Sequence, residues 1–276
     1  MENVTAYQIA DYTANRVFDN LKMSLRISLP IIVLAILLVS LLGFSEISRV
    51  LEGEVTNGVV APGPAFGLRA FIAIIVVVYS YYWIAVAWHR FLLEGMAVQG
   101  IFPQNPVGSI FSYIWGSIVV GFVILLILLV PVFIAFAVTG GEGINFSVGD
   151  YSGVAVRGAG AISMNFVFTV SFAYIFLRYS PVLVTSAIGK SETCKASRKL
   201  TCPGRKIIFQ LALGYGVVTL VWAFIGGLGL GQWLIELAVG LFFSWVAFIF
   251  SITILTSIYE VFVLGVDLNV EREVRQ

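Results

Sequence analysis

The side chains with chemical potential in this chain are few, and they sit where apolar runs end. Trp88, His89 and Arg90 stand together, with Glu94 one helical turn beyond Arg90. Arg178 opens the string Arg178-Tyr179-Ser180-Pro181, and Tyr259-Glu260 closes the last apolar run. Lys195, Arg198 and Lys199 recur at spacings of three and four, which puts them on one face of a short helix. The set is read as candidate interfacial and lipid-contact residues at the cytoplasmic ends of the apolar runs. His89 is the only histidine, so a site that needs two imidazoles is excluded.

Each group has two readings. For Trp88, His89 and Arg90, one is an interfacial anchor: the indole lies at the headgroup level, and Arg90 meets Glu94 at i, i+4. The other joins this turn to Arg178 in a cytoplasmic site. Lys195, Arg198 and Lys199 either bind lipid headgroups or a partner, or serve only to set topology. Glu260 is expected to pair with Arg90 or Arg178 at the interface. Cys194 and Cys202 both lie in the basic stretch and have no histidine nearby, so two reduced thiols are expected and no metal site.

Two glycine-containing strings carry no chemistry. Gly189-Lys190-Ser191 ends like a phosphate loop, but that motif needs glycine where Val184 stands. Gly227 and Gly231 lie in an apolar run and read as a helix-packing face. No catalytic, cofactor-binding or metal-ligating pattern emerges. The expectation is a non-enzymatic protein without a cofactor, whose partners are membrane lipids with anionic headgroups and other membrane subunits. No nucleic-acid partner is expected.

The elements that must position these residues are hydrophobic helices. Of 276 residues, 59% are hydrophobic and 11% charged, and the mean hydropathy is +1.00. Soluble domains carry about a quarter charged residues. The fold class expected is all-α: a polytopic membrane helix bundle of six spans, preceded by an amphipathic interfacial helix over 4–25. In that helix Ala6, Ala10, Ala14, Val17 and Leu21 form the apolar stripe, opposite Gln8, Asp11, Asn15, Asp19 and Lys22. The first 24 residues mix acids and bases and do not read as a signal peptide.

The spans are placed at 27–44, 70–88, 107–138, 159–177, 207–231 and 237–259, near the ~20 residues needed to cross ~30 Å of hydrocarbon. Pro30 falls in the first turn of the first span. The third run holds 32 uncharged residues and overshoots the bilayer, so tilt, projection or a kink near Pro131 is expected. A basic cytoplasmic loop over 178–206 separates the fourth span from the fifth, with a short helix between Ser191 and Thr201 that Ser191 caps. It contains seven of the sixteen basic residues and one acid, Glu192. In all, thirteen Lys and Arg lie on the side of this loop, while Arg49, Arg69 and Arg157 lie on the other. Both termini are therefore expected on the cytoplasmic side of a bacterial inner membrane.

The strings WHRF at 88–91, RYSPVL at 178–183 and ASRKLTCPG at 196–204 carry a resemblance. The chain resembles a broad bacterial family of six-helix inner-membrane proteins, alphaproteobacterial in its WHR form. That family is related to the membrane domain found beside glycerophosphoryl diester phosphodiesterases. The resemblance implies a fold and a location, not the phosphodiesterase reaction, which belongs to a separate soluble barrel. The functional expectation is a scaffold or accessory subunit of a membrane assembly that binds lipid. The alternative is a transporter or channel for a small or lipidic substrate. Against proton coupling stands the placement of Arg69, Arg90, Arg178, Glu236 and Glu260 near span ends, which leaves hydroxyls and amides in mid-span.

Overall fold

The computed structural model describes residues 4–42, 64–96, 100–139, 159–190, 192–226 and 233–268. They form eight helices: α1 (Ala6–Asp19), α2 (Leu21–Leu41), α3 (Pro64–Glu94), α4 (Val107–Thr139), α5 (Ala159–Ala187), α6 (Cys194–Leu200), α7 (Arg205–Gly226) and α8 (Trp233–Tyr259). A π-helical turn over Glu260–Leu264 continues α8. Five helical segments are long and apolar enough to cross a membrane. The pair α6 and α7, bent by 99°, makes a sixth if counted as one broken span. Large apolar side chains such as Phe71, Ile74, Phe122, Leu125, Val218 and Phe242 are exposed on the outside of the bundle. Such continuous apolar exposure is tolerated where the solvent is lipid. Among the described residues the regular structure is all helical, and the apolar helices are those of a multi-pass membrane protein.

Helix α5 lies at the centre, packed against α3, α4, α6, α7 and α8. Helix α2 runs along α3, and α1 packs on α8 and α7. Close approach depends on small residues: Gly116 of α4 lies beside Leu183 and Ser186 of α5, and Gly216 of α7 beside Val170 and Phe166 of α5.

Several boundaries differ from the sequence expectation. The expected 4–25 helix breaks at Asn20, whose side chain donates to the Arg16 carbonyl, and α2 then starts at Leu21. Pro30 therefore lies inside α2 and not in its first turn. A capping box starts α1, with Gln8 N–H donating to Thr5 Oγ1 at 3.2 Å and Thr5 N–H to Gln8 Oε1 at 2.8 Å. The buried face of α1 is Ile9, Tyr12, Thr13 and Val17, while Ala10 and Leu21 are exposed. Ile and Tyr bury more area than alanine does, and they decide which face turns inward.

The second span extends to Glu94, the third fills Val107–Thr139, and the sixth begins at Trp233. The largest departure is in α5, which continues ten residues past the expected end at 177. Pro181 has no N–H to give to the Leu177 carbonyl, which ought to stop or bend the helix. The Ser180 hydroxyl donates to that carbonyl instead, at 2.8 Å. The helix ends at Ala187, and two residues later Gly189, whose φ of 74° suits glycine, turns the chain. There Lys190 N–H donates to Thr185 O at 2.8 Å and Gly189 N–H to Ser186 O at 3.2 Å, closing a Schellman motif. Gly189-Lys190 is thus a helix stop. The cap of α6 is Thr193, accepting from Ala196 N–H at 3.2 Å. The two glycine-rich connections, Ser191 and the Gly227–Gly231 string lie outside the described residues.

Candidate functional site

Along the last turns of α8, Thr253, Thr256, Ser257 and Glu260 recur at i, i+3, i+4 and i+7, so they share one face. All four are buried. The hydroxyls of Thr253 and Thr256 donate back to the carbonyls of Ile249 and Ile252 in their own helix, at 2.7 and 3.2 Å. Their lone pairs then face neighbouring helices as acceptors. Trp88 of α3 donates its indole N–H to Thr253 Oγ1 at 2.8 Å. His89 Nδ1 lies 2.8 Å from Thr256 Oγ1, and its Nε2 lies 3.2 Å from the Tyr113 hydroxyl of α4. Since Thr256 has spent its proton, the network assigns N–H to Nδ1 and leaves Nε2 to accept from Tyr113.

The seam continues to α1. The hydroxyls of Thr13 and Ser257 lie 3.0 Å apart. Arg16 forms an ion pair with Glu260, which also accepts from the Tyr12 hydroxyl at 3.3 Å. A second arm of Arg16 donates to the Leu92 carbonyl at the end of α3, at 3.1 Å. The guanidinium lies over the Tyr12 ring, 5.2 Å from its centroid. One polar seam therefore joins α1, α3, α4 and α8.

A second cluster lies where α6 turns into α7. Ser197 and Thr201 both donate to the Arg178 carbonyl, each at 3.1 Å, so α6 docks on α5 beside Pro181. In return Arg178 Nη2 donates to the Arg198 carbonyl at 3.2 Å. The side chains of Lys195, Arg198 and Lys199 are exposed, as are Arg205 and Lys206. Gly204 at the corner packs against the Phe262 ring. Burial pushes the Cys194 thiol above its ordinary pKa, whereas Cys202 is exposed.

The structure redistributes the residues singled out in the sequence. Arg90 meets Glu94 at 3.0 Å. Trp88 does not sit at an exposed rim: it is fully buried, with its indole bonded inside the protein. His89 is buried with both ring nitrogens engaged, and Arg178 lies on α6 without joining it. Glu260 pairs with Arg16 in place of Arg90 or Arg178, because α1 packs directly on the end of α8. Tyr12, Thr13, Arg16, Tyr113 and the hydroxyls of α8 were missed as a set. The signal that could have found them is the i, i+3, i+4, i+7 stripe on α8, facing Tyr12, Thr13 and Arg16 at i, i+1, i+4 on α1.

No protein family, curated protein or solved structure matches this chain. The functional reading therefore stands on the two clusters. One is closed, its polar atoms spent on one another. The other is open, a cationic face turned outward.

Proposed function

We propose that the chain is a non-enzymatic scaffold or accessory subunit of a bacterial inner-membrane assembly, contacting anionic lipid through α6. Both termini then face the cytoplasm. The observation that carries this reading is the closure of the seam around Trp88, His89, Thr253, Thr256 and Glu260. Its donors and acceptors hold helices together and present nothing to a substrate. The exposed chemistry at the polar corner is cationic, and Lys and Arg beside a bilayer each contribute about 1 kcal/mol toward an anionic surface. The resemblance to six-helix inner-membrane proteins supports the same location.

A transporter is the second reading. The observation in its favour is the buried carboxylate of Glu260 at the start of a π-helical turn, a geometry often found at functional sites. Vesicles reconstituted with the purified chain separate the two. The scaffold reading expects the same proton flux with wild type, with Glu260→Gln and with empty vesicles. A flux that needs the protein and disappears in Glu260→Gln overturns it. Orientation is tested with single cysteines in a Cys-free background: Asn57→Cys and Ser147→Cys react with an impermeant reagent outside cells, and Ser191→Cys does not.

A further inference from the structure

We propose that the corner between α5 and α6 binds one anionic phospholipid, whose phosphate is held by the Arg178 guanidinium. Arg16 and Arg90 each meet a carboxylate, at Glu260 and Glu94. Arg178 meets none among the described residues. Its contacts are the Arg198 carbonyl and the Tyr174 hydroxyl, the latter at 3.5 Å. A guanidinium has more donors than these two contacts use. The Arg178 Nε is buried and has no hydrogen-bond partner. An unmatched charge-bearing donor in a partly buried place is costly, and an oxyanion is the acceptor whose geometry fits the planar fork.

The surroundings select a phosphate that carries acyl chains. The cations Arg198, Lys199 and Lys195 are exposed on the helix that Arg178 touches, so the local field favours an anion. On the other side the surface is apolar: Tyr174 packs edge-on against Phe209 of α7, and Phe209 is exposed. Arg178 follows Tyr174 by one helical turn and lies over its ring at 5.8 Å. An exposed phenyl ring leading through Tyr174 to an unmatched guanidinium suits an amphiphile with a phosphate head. The site rests on the reading that α6 meets lipid, and it adds Arg178 as the residue that fixes one molecule in place.

Native mass spectrometry on the purified chain in neutral detergent tests this, with phosphatidylglycerol and phosphatidylcholine titrated separately. In the wild type one phosphatidylglycerol binds ahead of the rest and resists salt, while phosphatidylcholine shows no such first step. Arg178→Lys keeps the charge but loses the fork, and weakens that first step about tenfold. The variant Lys195→Gln/Arg198→Gln/Lys199→Gln keeps the first step and loses the later, salt-sensitive ones. A first step that survives Arg178→Lys but is lost in the triple variant overturns the Arg178 site and leaves the α6 reading standing. Binding unchanged in both variants overturns the two together. Displacement of the first lipid by excess inorganic phosphate shows that free phosphate is the ligand, which overturns the lipid assignment. Because Arg178 also supports α6, the unaltered chain supplies a second readout by nuclear magnetic resonance. Its protected Nε–H signal shifts with phosphatidylglycerol and not with phosphatidylcholine; a signal that stays in place overturns the site.

Discussion

The contact between Arg16 and Glu260 ties the N-terminal helix to the last span, and its worth can be reasoned from its burial. The Glu260 side chain is 7% exposed and that of Arg16 is 16%. Removing one member of a buried ion pair costs about 3–5 kcal/mol, because the other charge stays behind without its partner. Arg16 keeps some access to solvent and still has the Leu92 carbonyl and the Tyr12 ring, so Glu260→Ala belongs at the lower edge, about 3 kcal/mol. Glu260→Gln retains an oxygen acceptor for Arg16 and Tyr12 and should cost about 1.5–2 kcal/mol. The double variant Arg16→Gln/Glu260→Gln removes both charges, so its cost falls well short of the sum. Reversible unfolding in mixed micelles, read as a double-mutant cycle, measures the coupling, expected at about 1.5–3 kcal/mol. A coupling within about 0.5 kcal/mol would mean that the pair is solvated and additive, which refutes the argument.

Two further expectations follow from local geometry. A Cβ at Gly204 would overlap the Phe262 ring and one at Gly216 would lie 2.5 Å from Val170, whereas Gly214 faces open space. Gly204→Ala and Gly216→Ala should each cost about 1–3 kcal/mol by thermal unfolding, and Gly214→Ala should cost nothing or stabilise; equal effects at the three sites would contradict the packing. The half-buried Cys194 has its thiol pKa raised by desolvation, so it holds less thiolate at neutral pH than an ordinary cysteine. Its alkylation should lag behind that of the exposed Cys202 and gain rate only on the alkaline side, and a faster Cys194 at pH 7 would refute the burial.

The apolar runs were legible because each is longer than any soluble helix needs, and hydropathy reads them without help from partners. The ends were less legible, since they depend on side chains that repair a broken pattern. Pro181 reads as a stop, yet the Ser180 hydroxyl supplies the hydrogen bond that proline cannot, and α5 runs on to the Schellman turn at Gly189. Trp88 beside a charge reads as a rim residue, but its acceptor, Thr253, is 165 positions away. Long-range pairing of this kind leaves no local trace. The partner of Glu260 was open to elimination: Arg90 already had Glu94 at i, i+4, and the charge facing the end of α8 came from α1.

The same hydroxyl chemistry explains how a chain with so few charges fixes the packing of its helices. In hydrocarbon, apolar side chains give little preference for one helix register over another, because lipid tails pack against them as well. Directional polar contacts supply the preference. Thr253 and Thr256 spend their protons on their own helix, and so can accept from only the indole and imidazole that α3 presents at neighbouring positions. Ser197 and Thr201 do the reverse, donating together to one carbonyl beside Pro181. That second arrangement determines where the cations of α6 stand, since α6 has only seven residues and is too short to hold its shape alone. The docking that orders Lys195, Arg198 and Lys199 is thus the docking that leaves the Arg178 guanidinium beside them without a carboxylate among the described residues.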